Sequence, residues 1–176
     1  MSCQELFASV AKDPKKAEKI DAQSPDCACE AQSVSPHSPG PVTDDETLWR
    51  LILSPVHYDV TTGKVTEAAF DDASNKGMSV QRLVVTGSEG DIRQRGHARA
   101  AAKPGRTFEC AVGATAAGIR ALRGLEDGGR FCIYDTADAA DPGHADVCQT
   151  RHGSRHARAQ LRRELQKQFS LLIHPA

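Results

Sequence analysis

Apolar residues in this chain come in short bursts, separated by polar stretches that carry Gly and Pro. In SRHARAQLRRELQKQF, Ala157, Leu161, Leu165 and Phe169 recur at steps of four, an apolar stripe on a basic helix with Ser154 as its cap. MSVQRLVVTG, from Met78 to Gly87, is β-branched and bounded by glycines, which predicts a strand. TFECAV and the alternating RFCIYD predict two more, and SLLIHP closes as a last strand. Between them, TAAGIRALRGL predicts a short helix capped by Thr115.

Three stretches carry two signals at once. In TDDETLWRLIL, Thr43 and Glu46 have the spacing of a capping box, and Leu48, Leu51 and Ile52 fall at i, i+3 and i+4. A helix is expected there, with a strand over Arg50–Leu53 as the competitor; Pro55 ends either one. HYDVTTGKVTEAAFDD reads as a turn at Thr62-Gly63 followed by a helix capped at Thr66. EGDIRQRGHARAAAKPGR is either helical on both sides of Gly96 or a long loop closed by Pro104 and Gly105. After RFCIYD, the pair Asp141-Pro142 supplies an N-cap and a first-turn proline, which predicts a helix start. The order of elements predicts an α/β or α+β fold, a single small domain of one mixed sheet with flanking helices.

Residues 1–42 differ from the rest. They run through lysines and small polar residues to SVSPHSPGPV, with few large apolar side chains. Such a segment buries too little surface to offset its ordering entropy, so a disordered tail is expected, with the globular domain spanning residues 43–176. Leu6, Phe7 and Val10 could share one face of a short helix from Gln4 to Val10, which would turn the tail into a docking peptide.

The length of 176 residues suits one domain, and a net charge of −1 argues against a protein that coats nucleic acid along its whole surface. No apolar run near the N-terminus resembles a signal segment, and none approaches the roughly 18 residues of a membrane span. The expected setting is therefore cytoplasmic, without membrane contact, and the six cysteines read as thiols or metal ligands rather than disulfides.

The chemistry-bearing residues concentrate in DPGHADVCQTRHGSRHARAQLRREL, where His144, Cys148, His152 and His156 stand at steps of four. On a straight helix each step over-rotates by roughly 40°, so neighbours share a face but all four cannot hold one metal. One metal could take His144 with Cys148 or Cys148 with His152, the latter being the candidate ligand pair, a thiolate and imidazole that zinc accepts, with a break at Gly153-Ser154 bringing in His156. His144-Ala145-Asp146 invites comparison with the zinc deaminases, but the acid is Asp and the second cysteine motif is missing. Without metal, His144 near a helix start is a candidate general acid or base, oriented by Asp146. No cofactor is implied.

Positive charge gathers in two segments. One holds Arg93, Arg95, Arg99, Lys103 and Arg106; the other holds Arg151, Arg155, Arg158, Arg162, Arg163 and Lys167. Arg155, Arg158, Arg162 and Arg163 are the candidate partner-binding set, for nucleic acid or an acidic protein surface. Neither segment is interleaved with aromatics, so base stacking is not indicated. Arg82, projecting from the strand SVQR, is a candidate anion clamp. No P-loop, GxSxG or HExxH pattern occurs.

The layout LILSPVHYD, then AAFDDASNKGMSVQRL, then RFCIYDTADAADPGHADV is similar to small bacterial proteins of uncharacterised function, over residues 44–149. The resemblance implies that SVQR and PGHAD form a shared site, and it implies no chemistry. Three readings follow. The first is a small cytoplasmic binding module that contacts an anionic partner through its basic C-terminal helix. The second is an enzyme on a phosphate-containing or nucleotide substrate, with His144 as acid or base. The third is a zinc-stabilised structural module.

Overall fold

The computed structural model describes residues 1–125 and 128–176. Its strands are β1 (Thr47–Ser54), β2 (Tyr58–Asp59), β3 (Lys64–Val65), β4 (Met78–Arg82), β5 (Thr107–Thr115), β6 (Phe131–Tyr134), β7 (His144–Gln149) and β8 (Leu171–Ile173). Its helices are α1 (Cys3–Val10), α2 (Lys16–Gln23), α3 (Ala68–Asp71), α4 (Leu83–Thr86), α5 (Glu89–Ala101), α6 (Ala116–Ala121) and α7 (Arg155–Gln168). The fold is α+β. Six strands form a sheet in the order β6-β7-β4-β1-β5-β8, and its pairings are antiparallel, where a mixed sheet was expected. β2 and β3 make a separate hairpin that turns at Gly63, whose φ of +67° suits glycine.

Strand alternation sorts the sheet into two faces. Leu48, Val80, Ala145, Val147 and Ile133 point to one side and join the main core with Phe70, Ile119, Leu161, Leu165 and Phe169. The apolar stripe of α7 therefore does what its spacing predicts, and Ser154 and Thr115 cap α7 and α6 as expected. The opposite face is covered by two bodies. α5 lies over β1, β5 and β8, packing Ile92 and Ala100 against Trp49, Phe108 and Ile173. The N-terminal segment covers β6 and β7, packing Leu6, Phe7, Val10 and Ile20 against Cys132, Tyr134 and Cys148.

That packing corrects the expectation of a disordered tail. Residues 1–42 are poor in large apolar side chains, but they are stapled by disulfides Cys3–Cys29 and Cys27–Cys132. Cross-links of this kind reduce the entropy of the unfolded chain and offset a small core. They also correct the reading of all six cysteines as thiols; Cys110 and Cys148 are the free pair. The helix expected at Gln4–Val10 is present as α1, with Ser2 and Glu5 forming a capping box.

Two helices expected from the sequence are strands. β1 buries both its faces, so its apolar positions satisfy a helical spacing and a strand equally. Thr43 and Glu46 keep half of the capping geometry, with the Thr43 N–H donating to Glu46 Oε1 at 2.8 Å, but they close a turn. The helix start at Asp141-Pro142 is also replaced, because residues 144–149 form β7 between β4 and β6. Ala145 and Val147 enter the core while His144, Asp146 and Cys148 face the cover. α5 runs unbroken through Gly96, where a Cβ would lie 2.4 Å from the Phe108 ring. Glycine is there for close approach of helix and sheet.

Candidate functional site

α7 begins at a sharp turn, with Gly153 at a φ of +81° and the Ser154 side chain accepting from the Ala157 N–H. Positions 155, 158 and 162 then fall three and four apart and share one face of the helix. Together with Arg151 from the preceding loop, Arg155, Arg158 and Arg162 line a pocket of about 340 Å³. Asp71, the last residue of α3, and Ser74 and Asn75 after it complete the pocket, and Asp71 is the one carboxylate among the lining residues.

The guanidiniums are placed by neutral partners more than by acids. Arg158 Nη1 donates to the carbonyls of Gly153 at 2.5 Å and Arg151 at 3.2 Å. Arg162 Nη1 donates to Gln149 Oε1 at 3.0 Å, while its buried Nε has no hydrogen-bond partner and stands 3.4 Å from Asp71 Oδ1. Arg151 Nη2 lies 3.5 Å from Glu18 of α2. The exposed Arg155 makes no ion pair among the described residues. Burial, and then Arg151 and Arg162, lowers the pKa of Arg158, so positive charge here is in excess. A phosphate or carboxylate entering the pocket would relieve that repulsion and accept bidentate hydrogen bonds. Arg163, expected in the same set, turns away and pairs with Glu67 at 3.2 Å.

A second polar cluster forms where the two covers meet the sheet. His144 stands opposite Gln81 in the register, and Asp146 opposite Ser79. The Thr136 hydroxyl donates to Asp146 Oδ2 at 3.1 Å and lies 2.9 Å from His144 Nδ1. His144 Nε2 is 3.8 Å from Asp146 Oδ1. From α2, Lys16 Nζ donates to Asp146 Oδ2 at 2.5 Å. Burial alone would raise the Asp146 carboxyl, but Lys16 and then His144 more than offset it and hold it below the usual range. Asp141, rather than capping a helix, accepts from Gln81 Nε2 at 2.8 Å and pairs with Arg95 of α5. The structure thus brings His144 and Asp146 together, on a strand instead of a helix start.

It does not bring Arg82 to them. Gln81 shares the face of His144, so Arg82 points to the opposite side of the sheet. There it is buried, donating from Nε and Nη2 to both Glu46 oxygens at 2.8 and 2.6 Å and from Nη1 to the Gly40 carbonyl at 2.7 Å. Asp135 lies 3.3 Å away. Its donors are committed to holding residues 40–46, which leaves no clamp for a ligand.

The proposed metal pair is also apart in character. Cys148 is buried under the N-terminal cover, and burial pushes its thiol pKa strongly up; His152 is exposed in the loop before α7. Without a helix the four-residue spacing loses its meaning. Among the described residues, no three His, Cys, Asp or Glu side chains cluster so as to hold a metal.

Sequence reasoning missed Lys16, because it lies in the expected tail, and Thr136, because nothing local marks it; within SVQR it singled out Arg82, whereas Gln81 is the residue opposite His144. Arg151 was counted as basic, but its place in the pocket depends on the loop geometry at Gly153. No protein-family model, curated protein or solved structure matches the chain. No helix among the described residues is long and apolar enough to cross a membrane.

Proposed function

We propose that this protein is a binding module that takes up a phosphate-bearing partner in the pocket formed by Arg151, Arg155, Arg158 and Arg162. The observation that carries the reading is the excess of four guanidiniums over two nearby carboxylates, Asp71 in the lining and Glu18 beside Arg151. Guanidinium forks match phosphate oxygens bidentately, and a partly enclosed pocket strengthens the attraction. A nucleic-acid backbone is the favoured partner because its phosphates match the guanidinium forks; neither basic segment offers aromatics for base stacking, so recognition would rest on phosphate alone. An acidic protein surface is the alternative outcome of the same test.

Fluorescence anisotropy of a 5′-phosphorylated single-stranded RNA, with polyglutamate in parallel, provides that test. Arg151→Ala and Arg155→Ala change exposed side chains with little structural duty. Each is expected to weaken RNA binding, and to reduce the slope of log affinity against log salt by about 0.7. Unchanged affinity at low salt in the double variant would overturn the reading. Tighter binding of polyglutamate than of RNA would move the partner to an acidic protein.

The two disulfides suit a compartment where thiols are oxidised, so an oxidising setting replaces the cytoplasmic one in this reading. A second reading, acid–base catalysis by His144, draws support from the Thr136 hydroxyl at Nδ1 and the Asp146 carboxylate beyond Nε2. It proceeds without Arg82. Loss of a hydrolytic activity on phosphate esters in His144→Gln, with RNA affinity intact, would separate it from the first.

A further inference from the structure

One disulfide, Cys27–Cys132, cross-links the N-terminal cover to the sheet, since the other, Cys3–Cys29, lies within the cover itself. Cys132 is on β6, and directly opposite it on β7 stands Cys148, a free thiol. All five cysteines at this face belong to one buried cluster, with Tyr134 and Phe7 packed among them. Directly opposed residues of an antiparallel pair have Cα atoms roughly 4.5–5.5 Å apart, which lies inside the range that a disulfide spans. The backbone is therefore already set for a Cys132–Cys148 bridge.

We propose that Cys27, Cys132 and Cys148 form a thiol–disulfide exchange site that can unlatch the N-terminal cover from the sheet. The Cys148 thiolate attacks Cys132 Sγ, the Cys132–Cys148 bond forms, and the Cys27–Cys132 bond breaks. The electron pair leaves on Cys27 Sγ, which takes up a proton from solvent in place of the one Cys148 gave up. One disulfide and one thiol go in and one of each come out, so no external oxidant or reductant is consumed.

The closed form holds this reaction back. Burial, and then the Asp146 carboxylate, keeps the Cys148 thiol protonated, and the thiolate is the attacking species. Opening of the cover or an alkaline medium releases the brake. After exchange, the cover keeps its internal Cys3–Cys29 bridge and its backbone connection into β1, but no disulfide ties it to the sheet. The lost link closed a loop across a separation of 105 residues. Its loss makes opening easier and uncovers Tyr134, His144 and Asp146.

Two measurements test the site. In the first, the intact protein is held at alkaline pH in mild urea, quenched with N-ethylmaleimide and mapped by mass spectrometry. A Cys132–Cys148 peptide pair with labelled Cys27 is expected, and Cys148→Ala should yield neither. In the second, Cys27→Ser is treated with oxidised glutathione and its thiols are counted in denaturant. Pairing of Cys132 with Cys148 leaves Cys110 as the remaining thiol. Persistence of both Cys132 and Cys148 as thiols, or labelling in the intact protein confined to Cys110 and Cys148, would overturn the proposal. The first measurement stands even if Cys27→Ser fails to fold.

Discussion

Lys16 and Asp146, 130 positions apart in the chain, meet in a buried ion pair with the Lys16 ammonium donating to Asp146 Oδ2 at 2.5 Å. The contact ties α2 to β7 and fixes the N-terminal cover over the half of the sheet that carries His144. Its side chains are 9% and 4% exposed, so neither charge has water to fall back on. Gly77, with a φ of +87°, makes room for the carboxylate; a Cβ there would meet Asp146 Cγ at 3.0 Å.

Removing one member leaves the other charge buried alone. Lys16→Met or Asp146→Asn is expected to destabilise the protein by about 3–5 kcal/mol in urea unfolding. Lys16→Met combined with Asp146→Leu should recover most of that loss, because an apolar pair carries no desolvation penalty. Equal losses in single and double variants would show that the pair acts independently of its charges.

The same pair sets a pH window. The folded Asp146 carboxyl is held below its ordinary value of about 3.9, so its contribution is full above that value. It is lost as the pH falls through the lower folded value. For Lys16, burial opposes the charge but Asp146 more than offsets it and raises the pKa. That contribution is full below about 10.4 and is lost as the pH rises through the raised value. Amide exchange in α1 and α2 is expected to stay slow across the neutral range and to accelerate at both extremes. In Asp146→Asn the acid arm of that response should shrink.

His57 supplies a separate acid response. Burial, and then the Arg50 guanidinium 3.5 Å from its Nε2, pushes its pKa down to about 4. A base with a lowered folded pKa stabilises the fold above its ordinary value of about 6.5, and this is lost as the pH falls toward the folded value. The stability difference between the native protein and His57→Gln should therefore narrow between about pH 6.5 and 4. A difference constant with pH would count against the assignment.

Two glycines of α5 should respond with opposite sign. Gly96→Ala drives a methyl into the Phe108 ring and is expected to cost about 1–3 kcal/mol. At Gly90 a Cβ meets nothing closer than Ser88 Oγ at 3.5 Å. Gly90→Ala is therefore expected to gain about 0.5–1 kcal/mol through helix propensity. Thermal unfolding of the two variants reads both signs.

At the arginine pocket, Glu18 of the cover partly neutralises Arg151 across 3.5 Å. Glu18→Gln should raise RNA affinity severalfold at low salt, with the gain fading as salt screens the charges. No gain would indicate that Arg151 contributes little to the pocket.

The legible parts of this protein are those whose signal is local. The stripe of α7, the caps at Thr115 and Ser154, the strands at Met78, Thr107 and Phe131 and the charge of Arg155, Arg158 and Arg162 all follow from spacing within a few residues. β1 does not, because burial on both faces erases the alternation that separates a strand from a helix, and β7 does not, because the local helix-start signal of Asp141-Pro142 is overridden by pairing with β4 and β6. The cover was illegible for another reason. Composition measures how much surface a segment can bury alone, whereas residues 1–42 are held by two cross-links and by a buried ion pair to a residue 130 positions away.

By itself, the sequence determined a small domain of mixed helix and strand, α/β or α+β, a basic amphipathic C-terminal helix and the concentration of chemistry after residue 140. Tertiary structure alone decided that Arg82 faces away from His144, that Lys16 faces Asp146, and that Cys148 lies beside a disulfide. The physical reason is register. Which side chains share a face depends on how strands distant in sequence align, and a one-residue shift would reverse every one of those relations.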